Sequence, residues 1–203
     1  MSNGAAPAVR QAAGAGFSII ELLFVLATIA TLAAIGVPLT TSALDELRVG
    51  MAARYVAGRI VSARLDALQR STALGLRFAS GGADYTIATC VDGNGNGLRA
   101  AEIASGTDRQ LEPGEYLGQR FADVRFGLLA GVPDLDGSRQ GEDSEGVRLG
   151  STRFLTLGPD GTATSGTLYI RGKRGQYAIR VLGATARVRI FQYQPGANAW
   201  IAR

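Results

Sequence analysis

The chain has no histidine and a single cysteine, Cys90. The first absence removes imidazole acid–base catalysis and the commonest metal ligand, and the second removes an internal disulfide and any Cys/His nucleophilic pair. What is left for catalysis is a generic pair of carboxylates, so the expectation is a protein that is not an enzyme. Lysine is nearly missing as well: of the 21 basic residues only Lys173 is a lysine. That bias follows codon composition as easily as chemistry and excludes nothing. Strong polarity is also lacking. With 46% apolar and 19% charged residues the chain can build a core, which excludes wholesale disorder, and 203 residues suit one domain with an appendage.

Charge is unevenly spread. From Asp92 to Glu145 eleven acidic residues face five arginines, whereas Gly161 to Arg203 carries seven basic residues and no acid. Apolar residues are concentrated near the N-terminus, where they fill 17 of the 23 positions from Phe17 to Leu39. At about 1.5 Å per residue, a helix of that length matches a hydrocarbon core of roughly 30 Å. The 16 residues before it are rich in Ala and Gly with one charge, Arg10, which favours an N-terminus in the cytoplasm and the bulk of the chain outside. A secretory signal peptide would have a shorter apolar run and a small-x-small cleavage site after it. Glu21 stands inside this run, where a carboxylate costs about 2.5–3.5 kcal/mol at a helix centre and calls for a positive partner, unless it lies at the membrane surface and snorkels. Pro38 fits a bend near the end of the run.

Beyond it, Ser42 with Asp45 three residues on reads as a capping box that restarts the helix. Leu44, Leu47, Met51, Tyr55, Val61, Leu65 and Leu68 recur at helical spacing with Arg48, Arg54, Arg59, Arg64 and Arg70 among them, which predicts an amphipathic helix over 40–72 with its apolar stripe packed on its own domain and a solvated arginine face. From about residue 73 the texture changes to short β-rich runs: Leu74–Phe78, Tyr85–Val91, Arg153–Leu157, Thr167–Arg171, Gln176–Leu182 and Ala186–Tyr193. Alternation in 175–182 and 187–191 marks half-buried antiparallel strands, and Gly158-Pro159-Asp160-Gly161 and Arg171-Gly172-Lys173-Arg174-Gly175 read as turns. Ala130 to Gly150 reads as a mobile loop. The expected class is α+β, with a long helix laid on antiparallel sheets across a head of residues 73–203.

Gly16-Phe17-Ser18-Ile19-Ile20-Glu21-Leu22 followed by an apolar helix resembles the class III signal of type IV pilins and type II secretion pseudopilins. Asp92-Gly93-Asn94-Gly95-Asn96-Gly97, the run Phe154–Gly161, and Gly166–Gly172 through Arg187-Val188-Arg189-Ile190-Phe191 are similar to the GspH/FimT type within that group, and together the likeness covers most of residues 16–194. It implies a type IV pilin-like fold: a leader 1–16 cut after Gly16 by a prepilin peptidase, N-methylation of Phe17, a transmembrane and filament-assembly helix 17–39, and a head in the periplasm of a bacterium, anchored by a single pass in the inner membrane. It also implies that Glu21 pairs in the filament with the terminal amine of a neighbouring subunit's Phe17. The function implied is that of a minor pseudopilin of the type II secretion pseudopilus, working in protein export with other pseudopilins or minor pilins; the alternative is a FimT-like minor pilin that binds DNA for uptake. Members often carry Gly-Arg-x-Arg near the end, where this chain has Ala186 ahead of Arg187 and Arg189.

Two further sites stand out. Asp92, Asn94 and Asn96 with Gly97 have the oxygen spacing of a calcium loop, but the position for the closing bidentate acid holds Ile103, with Glu102 one residue short. The competing reading is an Asn/Gly turn whose side chains cap their own backbone. The basic pole, Arg171, Lys173, Arg174, Arg180, Arg187, Arg189 and Arg203, has the composition of a phosphate-binding patch, with Tyr193 or Trp200 available for stacking. The same arginines also suit a solvated sheet face or a contact with acidic neighbouring subunits.

Overall fold

A computed structural model of the chain describes residues 16–82, 84–137, 146–150 and 152–203. The protein is α+β and divides into two compact units, Met1–Thr40 and Thr41–Arg203. The helix α1 (Ile19–Arg70) opens where the Ser18 carbonyl accepts the amides of Glu21 and Leu22 at 3.0 and 3.1 Å. In the first unit its side chains are exposed throughout although nearly all are apolar, and it is long and apolar enough to cross a membrane. The hydroxyls of Thr28, Thr31 and Thr40 donate to the carbonyls four residues back at 2.8, 2.8 and 2.9 Å, which hides their polarity in the helix itself. Pro38 lies inside α1 without ending it, and the restart expected at Ser42–Asp45 is absent because the helix never stops.

In the second unit, α1 buries a face made of Val49, Ala52, Ala53, Val56, Ala57, Ile60, Ala63 and Ala67. This overturns the expected stripe. Leu44, Leu47, Met51, Val61, Leu65 and Leu68 all face outward, between 41% and 61% exposed, while Tyr55 is half-buried. Small residues let the helix approach the sheets closely, so the buried face is legible in size rather than in hydrophobicity. Nor is the arginine face uniformly solvated, since the Arg59 side chain is only 14% exposed.

Two antiparallel sheets cover that face. The first is built from β1 (Leu74–Ser80), β2 (Tyr85–Val91), β3 (Arg109–Gln110), β4 (Glu115–Tyr116) and β7 (Phe154–Leu157), in the order β3-β2-β1-β7 with β4 also on β2. The second runs β11-β10-β9-β8-β5, with β6 also on β8: β5 (Arg125–Phe126), β6 (Val147–Arg148), β8 (Gly166–Arg171), β9 (Gln176–Leu182), β10 (Arg187–Gln194) and β11 (Ala199–Ala202). Short helices α2 (Ala100–Ser105) and α3 (Leu117–Arg120) sit between strands, and neither they nor the two-residue strands carry enough periodicity to be seen in sequence. Leu74, Leu76, Ile87, Leu155, Leu157, Leu168, Ile170 and Ile179 close one core with α1, each worth about 1.5–3 kcal/mol on burial.

The strand β9 is buried on both faces from Gln176 to Ile179, not half-buried as its alternation suggests. A segment through Leu128, Val132 and Leu135 covers the outer face of the second sheet and encloses Tyr169 and Ala178 with Phe191, Tyr193 and Trp200. Much of the expected 130–150 loop is therefore packed; residues 138–145 of it lie outside the described residues.

Asp45 has another task than capping. Its buried carboxylate accepts the backbone amides of Lys173 at 2.9 Å and of Arg174 and Gly175 at 2.8 Å, tying the β8–β9 turn to α1 across 128 residues of sequence. The fit requires Gly172, where a Cβ would run into the Asp45 carboxylate and stand 2.7 Å from Val49 Cγ2. Burial alone would raise the Asp45 pKa, but the three amides and the nearby Lys173 charge outweigh it and hold the carboxyl below its ordinary value. A depressed folded pKa contributes stability above the unfolded value of about 3.9 that is lost as pH falls through the folded one. Asp45→Asn is therefore expected to cost the fragment Thr40–Arg203 about 2 kcal/mol at neutral pH. In urea unfolding followed by circular dichroism, that difference should close below about pH 4.

Candidate functional site

The N-terminal junction leads directly into α1. Gly16, Phe17 and Ser18 precede the helix and are exposed, and a Cβ built on Gly16 meets nothing within 4 Å. The fold itself therefore makes no demand for glycine at that position. Glu21 lies in the first turn of α1, exposed, where the positive end of the helix dipole favours a carboxylate.

The Asp92 loop closes on itself. The buried Asp92 carboxylate accepts the amides of Asn94 at 3.1 Å and of Gly95 and Gly97 at 2.7 Å. Burial would raise its pKa; the loop amides, led by Gly97 and Gly95, lower it below the ordinary value. The side-chain amides of Asn94 and Asn96 both donate to Glu102, at 3.3 and 2.9 Å. Fully buried Asp108 takes the amides of Gly93 and Arg99 at 3.1 and 2.9 Å and fastens both ends of the loop. Among the described residues no group of three or more acidic or sulfur side chains is placed to hold a metal. The geometry accounts for Asp92, Asn94 and Asn96 as self-capping of an Asn/Gly turn.

The basic pole is two patches. Arg171, Lys173 and Arg174 stand at the turn that begins β9, and Arg187 and Arg189 stand opposite the far end of β9, about 20 Å away at roughly 3.3 Å per residue. Arg187 and Arg189 are exposed on one face of β10, and Arg189 pairs across the strands with Arg180, which follows Thr167 and Arg148 in the same row. Acids from the preceding segment hold two members of that row: Asp136 binds Arg180 at 2.7 Å, and Asp134 binds Arg148 at 2.8 Å. Tyr193 and Trp200 are half-buried and already partnered. Their rings pack together at 5.4 Å, Trp200 Nε1 donates to the Pro133 carbonyl at 3.0 Å, and Arg203 donates to Gln192 at 2.6 Å. Ala186, which replaces the glycine of the expected motif, has φ +46°, the left-handed conformation that glycine adopts at least cost.

Sequence reasoning missed a groove of about 840 Å³ between α1 and the 111–120 segment. Arg59 crosses it to bind Glu112 at 2.8 Å, Thr89 at 2.7 Å and Glu115, while the Tyr55 hydroxyl donates to Glu115 and Arg120 stacks over the Tyr55 ring. Burial and the Glu115 carboxylate raise the Tyr55 pKa, and Tyr55 with Arg59 overcomes burial to lower that of Glu115. The helical i, i+4 spacing of Tyr55 and Arg59 was its only trace in the sequence. Every charge deep in this groove is answered from within it, which describes a structural network.

No protein-family model matches the chain, and neither the curated proteins nor the solved structures give a match.

Because its oxygens hold the loop, Asp92→Ala is expected to destabilise the head by about 2–3 kcal/mol. Melting curves of the Thr40–Arg203 fragment should show the same loss in calcium and in EDTA; a deficit confined to the calcium sample would instead make Asp92 a ligand.

Proposed function

We propose that this chain is a membrane-anchored minor pseudopilin of the GspH/FimT type, a non-enzymatic subunit that assembles through α1 into a short periplasmic filament of a type II secretion system. The observation that carries the reading is the Gly16-Phe17 junction opening directly into an exposed apolar helix with Glu21 in its first turn, whose continuation packs on two antiparallel sheets. A helix of this kind needs a bilayer or other helices around it. Its outward residues Leu44, Leu47, Met51, Val61, Leu65 and Leu68 extend that need into the head, in two runs at three- and four-residue spacing separated by a step of ten residues. Under this reading Glu21 is retained because a terminal amine of the next subunit compensates its charge and sets the axial register. The inner membrane and a prepilin peptidase are the partners it requires.

The test is processing. Co-expressed with its prepilin peptidase, the protein should lose residues 1–16 and gain a methyl on Phe17, read by intact-mass spectrometry. Gly16→Arg should block both, and since a Cβ there meets nothing within 4 Å, the block would be due to the peptidase and not to misfolding. Glu21→Ala should insert as well as wild type but co-purify less with its filament partners. An unprocessed wild-type chain beside an active peptidase would overturn the reading.

One observation favours the DNA-uptake alternative: Arg187 and Arg189 project side by side and make no ion pair among the described residues. If they bind a phosphate backbone, the wild-type fragment Thr40–Arg203 should shift DNA in a gel with steep salt dependence, and Arg187→Ala with Arg189→Ala should lose roughly two phosphate contacts from the salt slope. The structural reading expects no shift beyond that of any protein of similar charge.

A further inference from the structure

The turn that Asp45 holds is also the most basic corner of the second sheet. Lys173 and Arg174 are exposed at its tip, Arg171 ends β8, and Arg125 of β5 stands directly across from Arg171. Like charges in directly opposed cross-strand positions are unfavourable unless an anion lies between or beside them. Arg171 Nε is buried without a hydrogen-bond partner, and Arg125 and Arg174 make no ion pair among the described residues. Among the described residues the cluster's ion pair is Lys173 with Asp123 at 2.9 Å, while Asp84 lies near Arg125 and Asp45 near Lys173 without closing an ion pair; the Lys173 and Asp123 side chains are 72% and 48% exposed, so their pair is weak and exchanges readily for another anion.

Chain connectivity says which anion is near. Asp45 follows Leu39, the end of the apolar run, by six residues, at most about 20 Å of chain, and the amides of Lys173, Arg174 and Gly175 are bonded to it. A chain that leaves the hydrocarbon at residue 39 therefore keeps this turn tethered within that reach of the headgroups. We propose that Arg125, Arg171, Lys173 and Arg174 form a docking site for anionic phospholipid headgroups, with Asp45 as the residue that positions it. The inference rests on residues 17–39 spanning a membrane. It explains why the turn is fastened by its backbone: Asp45 takes the amides and not the cationic side chains of Lys173 and Arg174, which stay exposed. Basic residues near an anionic surface contribute about fivefold each in affinity.

The experiment uses the full chain in detergent, titrated with phosphatidylglycerol or phosphatidylcholine and read by native mass spectrometry, and in vesicles of the same lipids for carbonate extraction. Wild type should retain phosphatidylglycerol preferentially, with the preference falling as salt rises. Lys173→Ser with Arg174→Ser should lose it by about fivefold per charge while leaving phosphatidylcholine retention and circular dichroism unchanged, since serine keeps both amides. Arg187→Ser with Arg189→Ser removes the same charge from the far patch and should change nothing. Equal loss in both double variants, or a wild type without preference that still resists carbonate, would overturn the lipid site alone. Extraction of the wild-type chain by carbonate would overturn the spanning reading beneath it. A Lys173/Arg174 variant that keeps its lipid preference while its head fragment loses DNA binding would assign the turn to nucleic acid.

Discussion

The second unit depends on one buried carboxylate. Asp45 receives three consecutive amides from a turn 128 residues away, and that closure holds β8 and β9, the centre of the second sheet, against the start of the helix segment they cover. Glycine makes it possible, because a Cβ on Gly172 would collide with the Asp45 carboxylate and one on Gly175 would crowd Val49 at 3.2 Å. Hydrogen bonds to an ionised acceptor are about twice as strong as neutral ones, so a single residue does the work that a longer apolar contact would otherwise perform at a polar turn. Because it bonds amides alone, the identity of the turn's side chains stays free, and they are basic.

The uneven charge of the chain is resolved in part within the head. Asp123, Asp134 and Asp136 from the acidic middle bind Lys173, Arg148 and Arg180, and Asp45 draws the turn between β8 and β9 onto α1. The net excess of the C-terminal stretch therefore does not spread over one surface. It survives as two separated patches, one at each end of β9, and any account of partners has to treat them as distinct sites. A polyanion long enough to touch both would need to span about 20 Å along the strand.

What the sequence made legible follows from how each feature is encoded. Long strands such as Tyr85–Val91 and Gln176–Leu182 carry their β-branched and aromatic residues in one run and lie where that pattern puts them. The apolar segment is legible for the same reason. The helix face was misread because the two faces of α1 differ in size more than in polarity: alanine packs inside and leucine stands outside, and a hydrophobicity pattern ranks leucine first. Asp45 was misread because a Ser-x-x-Asp spacing is local while its real partners are remote. At Asp92 the local reading as a self-capped turn agrees with the geometry, since all of its partners lie within a few residues. Arg180 and Arg148 gave no sign of being neutralised, as ion pairs across a sheet depend on registers that one strand does not record.

The inverted helix is informative about what α1 must do. A helix that needed only to hold its own head together would bury its leucines and expose its alanines, gaining more apolar area from the same number of positions. This one forgoes that gain along Leu44, Leu47, Met51, Val61, Leu65 and Leu68, a cost that an isolated head would not meet with any return. The spacing completes a regular seam only if Arg54 and Gly58 are counted in it, and both are exposed at the mouth of the groove that Arg59 crosses. Under the filament reading, a partner helix lying along the seam would meet leucine at either end and, midway, a cation beside a residue with no side chain. On the same reading, that interruption gives the seam a register: two apolar stretches alone permit sliding by a turn, whereas a single charged notch between them selects one alignment.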